Sequence, residues 1–573
     1  MRDLPLFCAL QNEAYKLTSG TGWAWKPAPG AARLALSAAL GDTAAFQAIL
    51  CPGEDCFLNL SNSYRIAQDW TLPVVRAALR GPFPASLALI GPMEDDDRLL
   101  RADAILPADS ALLRRGEPRA LWAEIAVPAD AAGGTYPFTL DLYLSDRTAD
   151  EARIASYPVE LEVIPCRLPQ PDSFRFHLDL WQHPSNIARK HETPLWSDAH
   201  FAVLDRYAAS LAALGQKAVT VIASEIPWAG QGCANERRLA ADLFEYSMIP
   251  VTRAADGTFS YDFSVMQRYI DLFARHGIRE EISVYGLSGV WAAGDDAPLA
   301  PDHPDLLRVS YLDEADGCRR FMRSGAELDG YVRAIGDYFR RTGQLECVRF
   351  AADEPADTEK YRRILARLFS LIPDVRCKAA INHAEFIGEF GQEVSDYAPY
   401  IDCLLAEYGK LDGYRRSMPD KRFLWYVCCG PDFPNTFLRS SLVEAYFIGA
   451  FTSFLGFDGF LRWSYAILND DPRADVRYGP FPAGDVNFVY PQKNGAPLLT
   501  LRYKALRRGI ELFELLERAK TTAPEAAEEA FTRLIAREAW GKTRSPRELA
   551  ATLSPDDYAA VRRALLLALA EKA

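Results

Sequence analysis

The spacing of apolar and polar positions divides the chain into three stretches with different rhythms. Up to residue 168, apolar and polar residues alternate in short runs: AFQAIL (45–50), LWAEIAV (121–127), TYPFTLDLY (135–143) and SYPVELEV (156–163). A period of two gives each strand one apolar face. Clusters of Gly, Pro and Asp between the runs supply the turns. The pattern predicts an N-terminal antiparallel β-sandwich over residues 1–168. The stretch PCRLPQP (165–171) carries neither a strand nor a helix period and marks the boundary.

From residue 174 short apolar runs alternate with amphipathic stretches. The strand candidates are FRFHLDLW (174–181), QKAVTVIA (216–223), EEISVYGL (280–287), CVRFAADE (347–354), KAAINH (378–383), CLLAEYG (403–409), FLWYVCC (423–429) and GFLRWSY (459–465). Helical periodicity fills intervals such as 198–214, 263–276, 328–342 and 440–454. Strands alternating with helices imply a parallel sheet, and eight such units within residues 169–518 predict a (β/α)8 TIM barrel. The alternative is a doubly wound open sheet, but no glycine-rich phosphate loop follows any strand. Residues 502–518 supply a closing helix, and the Ala/Glu/Arg-rich remainder, 519–573, predicts a short helical C-terminal extension. The fold class is therefore α/β with three parts.

Charge and composition narrow the functions. At 573 residues with net charge −13, the chain lacks the basic footprint that phosphate backbones require, so no nucleic-acid partner is expected. No run approaches the roughly 20 apolar residues of a membrane span, so no membrane partner is expected. The first residues, MRDLPLFCALQNEAYKLTSG, hold no sustained apolar core, which predicts a cytoplasmic protein. The 11 cysteines form no CxxC. Cys51 and Cys56 could pair, and Cys428–Cys429 sits in an apolar strand pattern where buried thiols act as small hydrophobes. Reduced thiols are expected. His177, His183, His191 and His200 fit no common zinc spacing, and neither a metal nor another cofactor is expected.

In a barrel of this kind the chemistry lies at the C-terminal strand ends. Those ends carry Trp181, Gln182 and His183; Trp228; Tyr285 and Trp291; Asp353 and Glu354; Asn382 and His383; Glu407 and Tyr408; Trp425 and Tyr426; Arg462, Trp463 and Tyr465. Many carboxylates and aromatic rings on one rim suit a sugar pocket. Asp353–Glu354–Pro355 is the most informative feature. Glycosidic cleavage needs an acid for the leaving oxygen and a second group for the oxocarbenium-like centre. Neighbouring residues on a strand point to opposite faces, but at the last residue the pleat can break and both side chains can enter one cavity. The alternative is that the pair merely ends a strand and caps the next helix.

The segments FHLDLWQHP (176–184), GQKAVTVIASEIPWAGQ (215–231), TRAADGTFSYDF (252–263), FAADEP (350–355) and GFDGFLRWSYAILNDDPRADVRYGPFPAGDVNFVYP (456–491) resemble bacterial proteins of the "domain of unknown function 4091" type. These are similar to glycoside hydrolase family 123, the β-N-acetylgalactosaminidases, and the resemblance spans roughly residues 30 to 518. It implies a retaining, substrate-assisted hydrolysis in which the sugar's 2-acetamido oxygen forms an oxazoline. Asp353 would orient the acetamido group and Glu354 would serve as general acid and then base. The substrate would be an oligosaccharide or glycoconjugate ending in a β-linked N-acetylhexosamine, with N-acetylgalactosamine favoured. By position at strand ends, Trp181, His183, Trp228, Tyr285, Asn382, Tyr408, Trp425, Arg462 and Trp463 are the candidate substrate-binding residues. Two readings compete: a glycosidase for a sugar without an acetamido group, using Glu407, Asp470 or Asp485 as second carboxylate, and a non-catalytic carbohydrate-binding protein.

Overall fold

The computed structural model describes residues 4–19, 33–60, 71–146, 150–228, 242–289 and 299–572. The fold is mixed α/β with a β-rich N-terminal region. That region holds two six-stranded sheets. One runs Leu6–Asn12, Thr43–Pro52, Arg119–Ala126, Ala85–Glu94, Leu100–Leu106, Thr18–Ser19; the other runs Leu34–Leu40, Ala152–Arg167, Gly134–Ser145, Val74–Arg80, Cys56–Asn59, Ser110–Leu113. Alternate residues of Thr43–Pro52 serve two cores. Ala44, Phe46, Ala48 and Leu50 meet Leu140, Leu142, Leu161 and Val163 of the facing sheet. Ala45 and Ile49 point the other way and join Ile90 and Trp122 in the core of the strand–helix body. Both faces are covered, so this strand lacks a polar face, and Gln47 donates to the Glu13 carbonyl at 2.9 Å.

The expectation of a purely antiparallel sandwich is corrected here. Leu34–Leu40 runs parallel to Ala152–Arg167, and Cys56–Asn59 runs parallel to Val74–Arg80. Neither pair is joined by a tight hairpin, so nothing local forces the strands to oppose.

After residue 170 parallel strands alternate with helices. We label the strands β1 (His177–Leu180), β2 (Ala218–Ile222), β3 (Glu281–Tyr285), β4 (Val348–Asp353), β5 (Cys377–Ile381), β6 (Val394–Pro399), β7 (Arg422–Phe423) and β8 (Gly459–Arg462). Strands β2 to β7 form one parallel sheet in chain order, and β1 pairs with β8 in another. Isolated parallel bridges, Leu178 to Gln216 and Tyr426 to Leu461, join the edges of the two sheets. The intervening helices include α1 (Asp198–Leu214), α2 (Ser264–Arg275), α3 (Gly325–Arg341), α4 (Thr358–Leu371), α5 (Glu385–Phe390), α6 (Ile401–Ser417), α7 (Leu442–Leu455) and α8 (Leu501–Thr522). Residues of β2, β3 and β5 are buried on both faces, as parallel strands under helices must be.

Two strand expectations need correction. Residues 403–409 lie inside α6, and the sixth strand is Val394–Pro399. A short apolar run reads equally as buried strand or buried helix, and Leu404 and Leu405 are buried as a helix face. Of 423–429, only Phe423 belongs to a strand, with Tyr426 in isolated bridges beyond it.

Helices α9 (Pro524–Leu534) and α10 (Pro555–Ala570) complete the chain and pack on α7 and α8. Helix α10 also covers Leu34–Leu40 and Ala152–Arg167. Arg562 of α10 and Arg508 of α8 both pair with buried Asp42, holding its carboxyl down at about 2 although burial alone would raise it. Among the described residues, no helix is long and apolar enough to cross a membrane.

A fully buried tie between the β-rich region and the rest is made by Arg502 of α8. Its Nε lies 3.1 Å from both carboxylate oxygens of Asp103 on Leu100–Leu106. Its Nη1 donates to the carbonyls of Thr436, Gly484 and Asn487 at 3.2, 3.0 and 2.6 Å. Arg502→Met keeps the volume but leaves a buried carboxylate and three carbonyls without their cation. The expected cost is about 4 kcal/mol, read as a lower midpoint in urea unfolding. A loss under about 1 kcal/mol would contradict this role.

Candidate active site

The floor of the site is a set of charges inside the sheet. Alternate positions on the parallel strands place His177, Asp179, Glu281, Arg349, Lys378, Asp396 and Arg422 together, six of them buried. Lys378 pairs with Asp179 and, at 2.7 Å, with Glu281. Glu281 also takes Arg422 at 2.7 Å and His177 at 2.9 Å. Arg349 Nε donates to Asp396 at 2.6 Å. Burial would raise the Glu281 carboxyl, but Lys378, His177 and Arg422 hold it well below the usual carboxylate range. A network this buried is stable only while every charge is matched.

Above this floor stand Asp353 and Glu354. Asp353 is the last residue of β4, in register with Ala380 of β5. Its charge bears on Tyr285 of β3 and on Tyr426 beyond β7, which sets it in the neighbourhood of both phenols. Glu354 follows with φ of 45°, the left-handed region that a residue with a Cβ seldom adopts. The pleat is therefore broken where sequence reasoning requires it. The Glu354 N–H donates to the Ala380 carbonyl at 3.2 Å, and its carboxylate accepts from the Tyr426 hydroxyl. Burial, reinforced by Glu354, keeps Tyr426 protonated well beyond the ordinary phenol range. The capping alternative fails locally, because the N-cap of α4 is Asp357, which accepts from Lys360 N at 2.8 Å.

One wall is aromatic. Trp181 stacks on Trp228 with centroids 6.0 Å apart and meets Tyr285 at 4.7 Å. His183 packs 4.6 Å from Trp228 and edge-on to Trp463 at 6.2 Å. Burial pushes the His183 imidazole down to about 3, so it stays neutral. Among the described residues neither ring nitrogen of His183 nor Nε1 of Trp181 has a partner at hydrogen-bonding geometry, although the Trp181 backbone lies near the imidazole. Buried donors and acceptors left open beside a carboxylate pair are what a polar ligand would satisfy. Trp463 donates Nε1 to Asp485 at 3.4 Å.

The family description "Glycoside hydrolase 123, catalytic domain" matches residues 181–519. The chain belongs to glycoside hydrolase family 123. It is therefore a glycosidase. Among solved structures, a family 123 glycoside hydrolase from Clostridium perfringens, studied for glycolipid glycan hydrolysis, is similar with a TM-score of 0.73 and 15% identity, over 99% of this chain and 97% of that one. A β-D-glucuronidase from Dictyoglomus thermophilum is far less similar, with a TM-score of 0.30 and 11% identity over 87% of this chain and 68% of that one. Comparison with curated proteins finds no match.

The structure gathers Trp181, His183, Trp228, Tyr285, Trp463, Asp353 and Glu354 of this family 123 chain, and sets Asn382, half-buried, at the end of β5. Trp291 lies outside the described residues. Three expected binding residues pack away from this group. Trp425 points outward: its Nε1 donates to Thr452 of α7 at 2.8 Å and its ring meets Phe451 and Phe460. Tyr426, one residue on, meets Glu354 instead. Tyr408 lies on α6 with its ring 4.3 Å from Trp540, part of the seam with the C-terminal helices. Arg462 is fully buried, pairing with Asp485 at 2.6 Å and donating to Asn435 at 2.7 Å. It supports Trp463 through Asp485 rather than meeting solvent.

Sequence reasoning missed Tyr426 as the partner of Glu354, and it missed Tyr400, whose ring lies 5.2 Å from Tyr426. It missed the charged floor too, although Asp179, Glu281, Arg349 and Lys378 interrupt otherwise apolar strands and so carried a signal. The rival carboxylates are engaged. Asp485 is buried against Arg462, Asp470 is exposed and paired with Lys190 at 2.9 Å, and Glu407 pairs with Lys410 at 3.3 Å. His383, Glu385 and Glu407 bring ligand-capable atoms within 4.8 Å of one another on the surface. Cys51 and Cys56 are both free thiols.

Removing the central cation of the floor tests its weight. Lys378→Met leaves Asp179 and Glu281 buried without Lys378, and unfolding should become easier by about 3 kcal/mol. Calorimetry or urea titration reads this directly. An unchanged melting curve would show that the charges are compensated from elsewhere.

Proposed function

We propose that the parallel strands close into a (β/α)8 barrel through the two edge bridges, and that the enzyme removes terminal β-linked N-acetylhexosamine, favouring N-acetylgalactosamine, with retention. Glycan ends of glycolipids, the substrate class described for the Clostridium perfringens enzyme, are the substrates we favour. Residues 1–168 serve as a structural partner through contacts such as Asp103–Arg502. In the first step Glu354 gives its proton to the leaving oxygen while the substrate's acetamido oxygen attacks the anomeric carbon. Asp353 holds the acetamido N–H and stabilises the positive charge that develops on the forming oxazoline. In the second step Glu354 takes a proton from water, which opens the oxazoline and restores the enzyme. Trp181, Trp228, Tyr285 and Trp463 provide faces for the ring and the acetamido methyl. Neutral His183 and Asn382 offer hydrogen bonds to hydroxyl groups.

The observation that carries this reading is the left-handed turn at Glu354. It turns the Glu354 carboxylate to Tyr426, the phenol on which the charge of Asp353 also bears, while Asp485, Asp470 and Glu407 each have a cation within 3.3 Å. An enzyme with its acid and helper on the same side suits a nucleophile supplied by the substrate.

A panel of p-nitrophenyl glycosides separates the alternatives. Cleavage confined to β-acetamido sugars supports substrate assistance, whereas cleavage of plain sugars points to an orthodox second carboxylate. On the substrate cleaved, Asp353→Asn should slow turnover by about 10² or more with little change in melting temperature. Glu354→Gln should suppress natural glycans far more than activated aryl glycosides, because an acid matters most for a basic leaving group. Full activity of Asp353→Asn would sink the assignment.

A further inference from the structure

The end of β7 carries a feature the proposed hydrolysis does not use. Cys428 and Cys429 were expected as buried strand thiols, but the strand stops at Phe423 and Cys429 is exposed, with Cys428 half-buried. Their sulfurs lie 4.0 Å apart. Two residues earlier stands Tyr426, whose hydroxyl holds Glu354. The Cys428 carbonyl accepts from Asn435 Nδ2 at 3.1 Å, and Asn435 Oδ1 accepts from Arg462, the partner of Asp485. The thiols are thus tied on one side to the acid and on the other to the ion pair beneath Trp463.

We propose that Cys428 and Cys429 are a covalent modification site at the pocket rim, a vicinal dithiol that a peroxide oxidises reversibly to a disulfide. The hydrogen bond from Cys428 lowers the Cys429 thiol, while that bond and burial raise Cys428. Cys429 is therefore the first nucleophile. Its thiolate attacks one oxygen of hydrogen peroxide, the O–O bond breaks, and hydroxide leaves to take up a proton, giving a sulfenic acid on Cys429. The Cys428 sulfur then attacks that sulfur, loses its proton and expels a second water. Two thiols and one peroxide become one disulfide and two waters, two electrons passing from sulfur to oxygen. Neighbouring Cα atoms are roughly 3.8 Å apart, short of the about 4.4–6.8 Å that relaxed disulfides span. Exposed, strained disulfides are readily reduced again. Closing the bond draws the sulfurs to roughly 2.05 Å and reshapes the segment between Tyr426 and Asn435, so turnover should fall about tenfold or more.

The test uses the full-length reduced protein exposed to hydrogen peroxide. The expected result is a loss of two hydrogens (about 2 Da) on the peptide holding both cysteines, reversed by dithiothreitol. Activity, which rests on the hydrolase reading above, should fall and return with the same time course. In Cys429→Ala the mass loss should vanish, and whatever activity remains should resist mild peroxide. Addition of oxygen to either cysteine without the bond, or bonding between chains, would overturn the proposal, as would disulfide formation that leaves turnover untouched. The mass readout needs no substrate. A protein that forms the bond yet cleaves no acetamido glycoside when reduced refutes the acetamido-substrate reading instead.

Discussion

Glu354 occupies a backbone conformation that costs about 1 kcal/mol for a residue with a side chain, and the site depends on that residue staying there. The Ala380 carbonyl holds its N–H and the Tyr426 hydroxyl holds its carboxylate. Because the turn comes directly after β4, Asp353 keeps its place as the last strand residue while Glu354 turns to meet the Tyr426 hydroxyl, on which the charge of Asp353 also bears. Relaxing Glu354 to extended backbone would return it to the opposite face and separate the carboxylates. Strain at one residue is thus offset by bonds from two neighbouring elements.

The same logic extends outward. Tyr426 is placed by a segment fastened through Asn435 to Arg462, and Arg462 is set by Asp485. Residues 484–487 are gripped in turn by Arg502, whose orientation comes from Asp103 in the β-rich region. A chain of charge-assisted hydrogen bonds therefore links a strand far from the pocket to the wall that holds Trp463. Beneath the carboxylates, the matched charges of Lys378, Glu281 and Asp179 fill space that apolar side chains fill in other sheets. Buried polar groups of this kind fix one arrangement because any other leaves a charge unmatched.

Much of this was legible in the sequence. The two periods separated the β-rich region from the parallel strands, because period two and alternating strand–helix units differ over many residues. The candidate pair was visible because FAADEP ends a strand and precedes a helix. Other features depended on parity and direction, which short runs do not fix. Residues 403–409 form a helix because their apolar positions bury one helical face, so Tyr408 was misplaced. Trp425 and Tyr426 adjoin, and only the pairing of Tyr426 with Leu461 and Tyr400 decides which faces inward. Arg462 looked like a ligand-binding cation, yet its partner lies 23 residues away in sequence, a contact no local pattern reveals.

In the proposed mechanism the substrate's acetamido group is the nucleophile and Asp353 and Glu354 serve it. The rate of hydrolysis of aryl glycosides whose N-acetyl group carries none, one, two or three fluorines reads that step. Fluorine weakens the carbonyl oxygen as a nucleophile while barely changing its size. With the acetamido oxygen as nucleophile, kcat/KM falls steeply and progressively along the series. A flat series would contradict it and place the nucleophile on the protein or in the solvent.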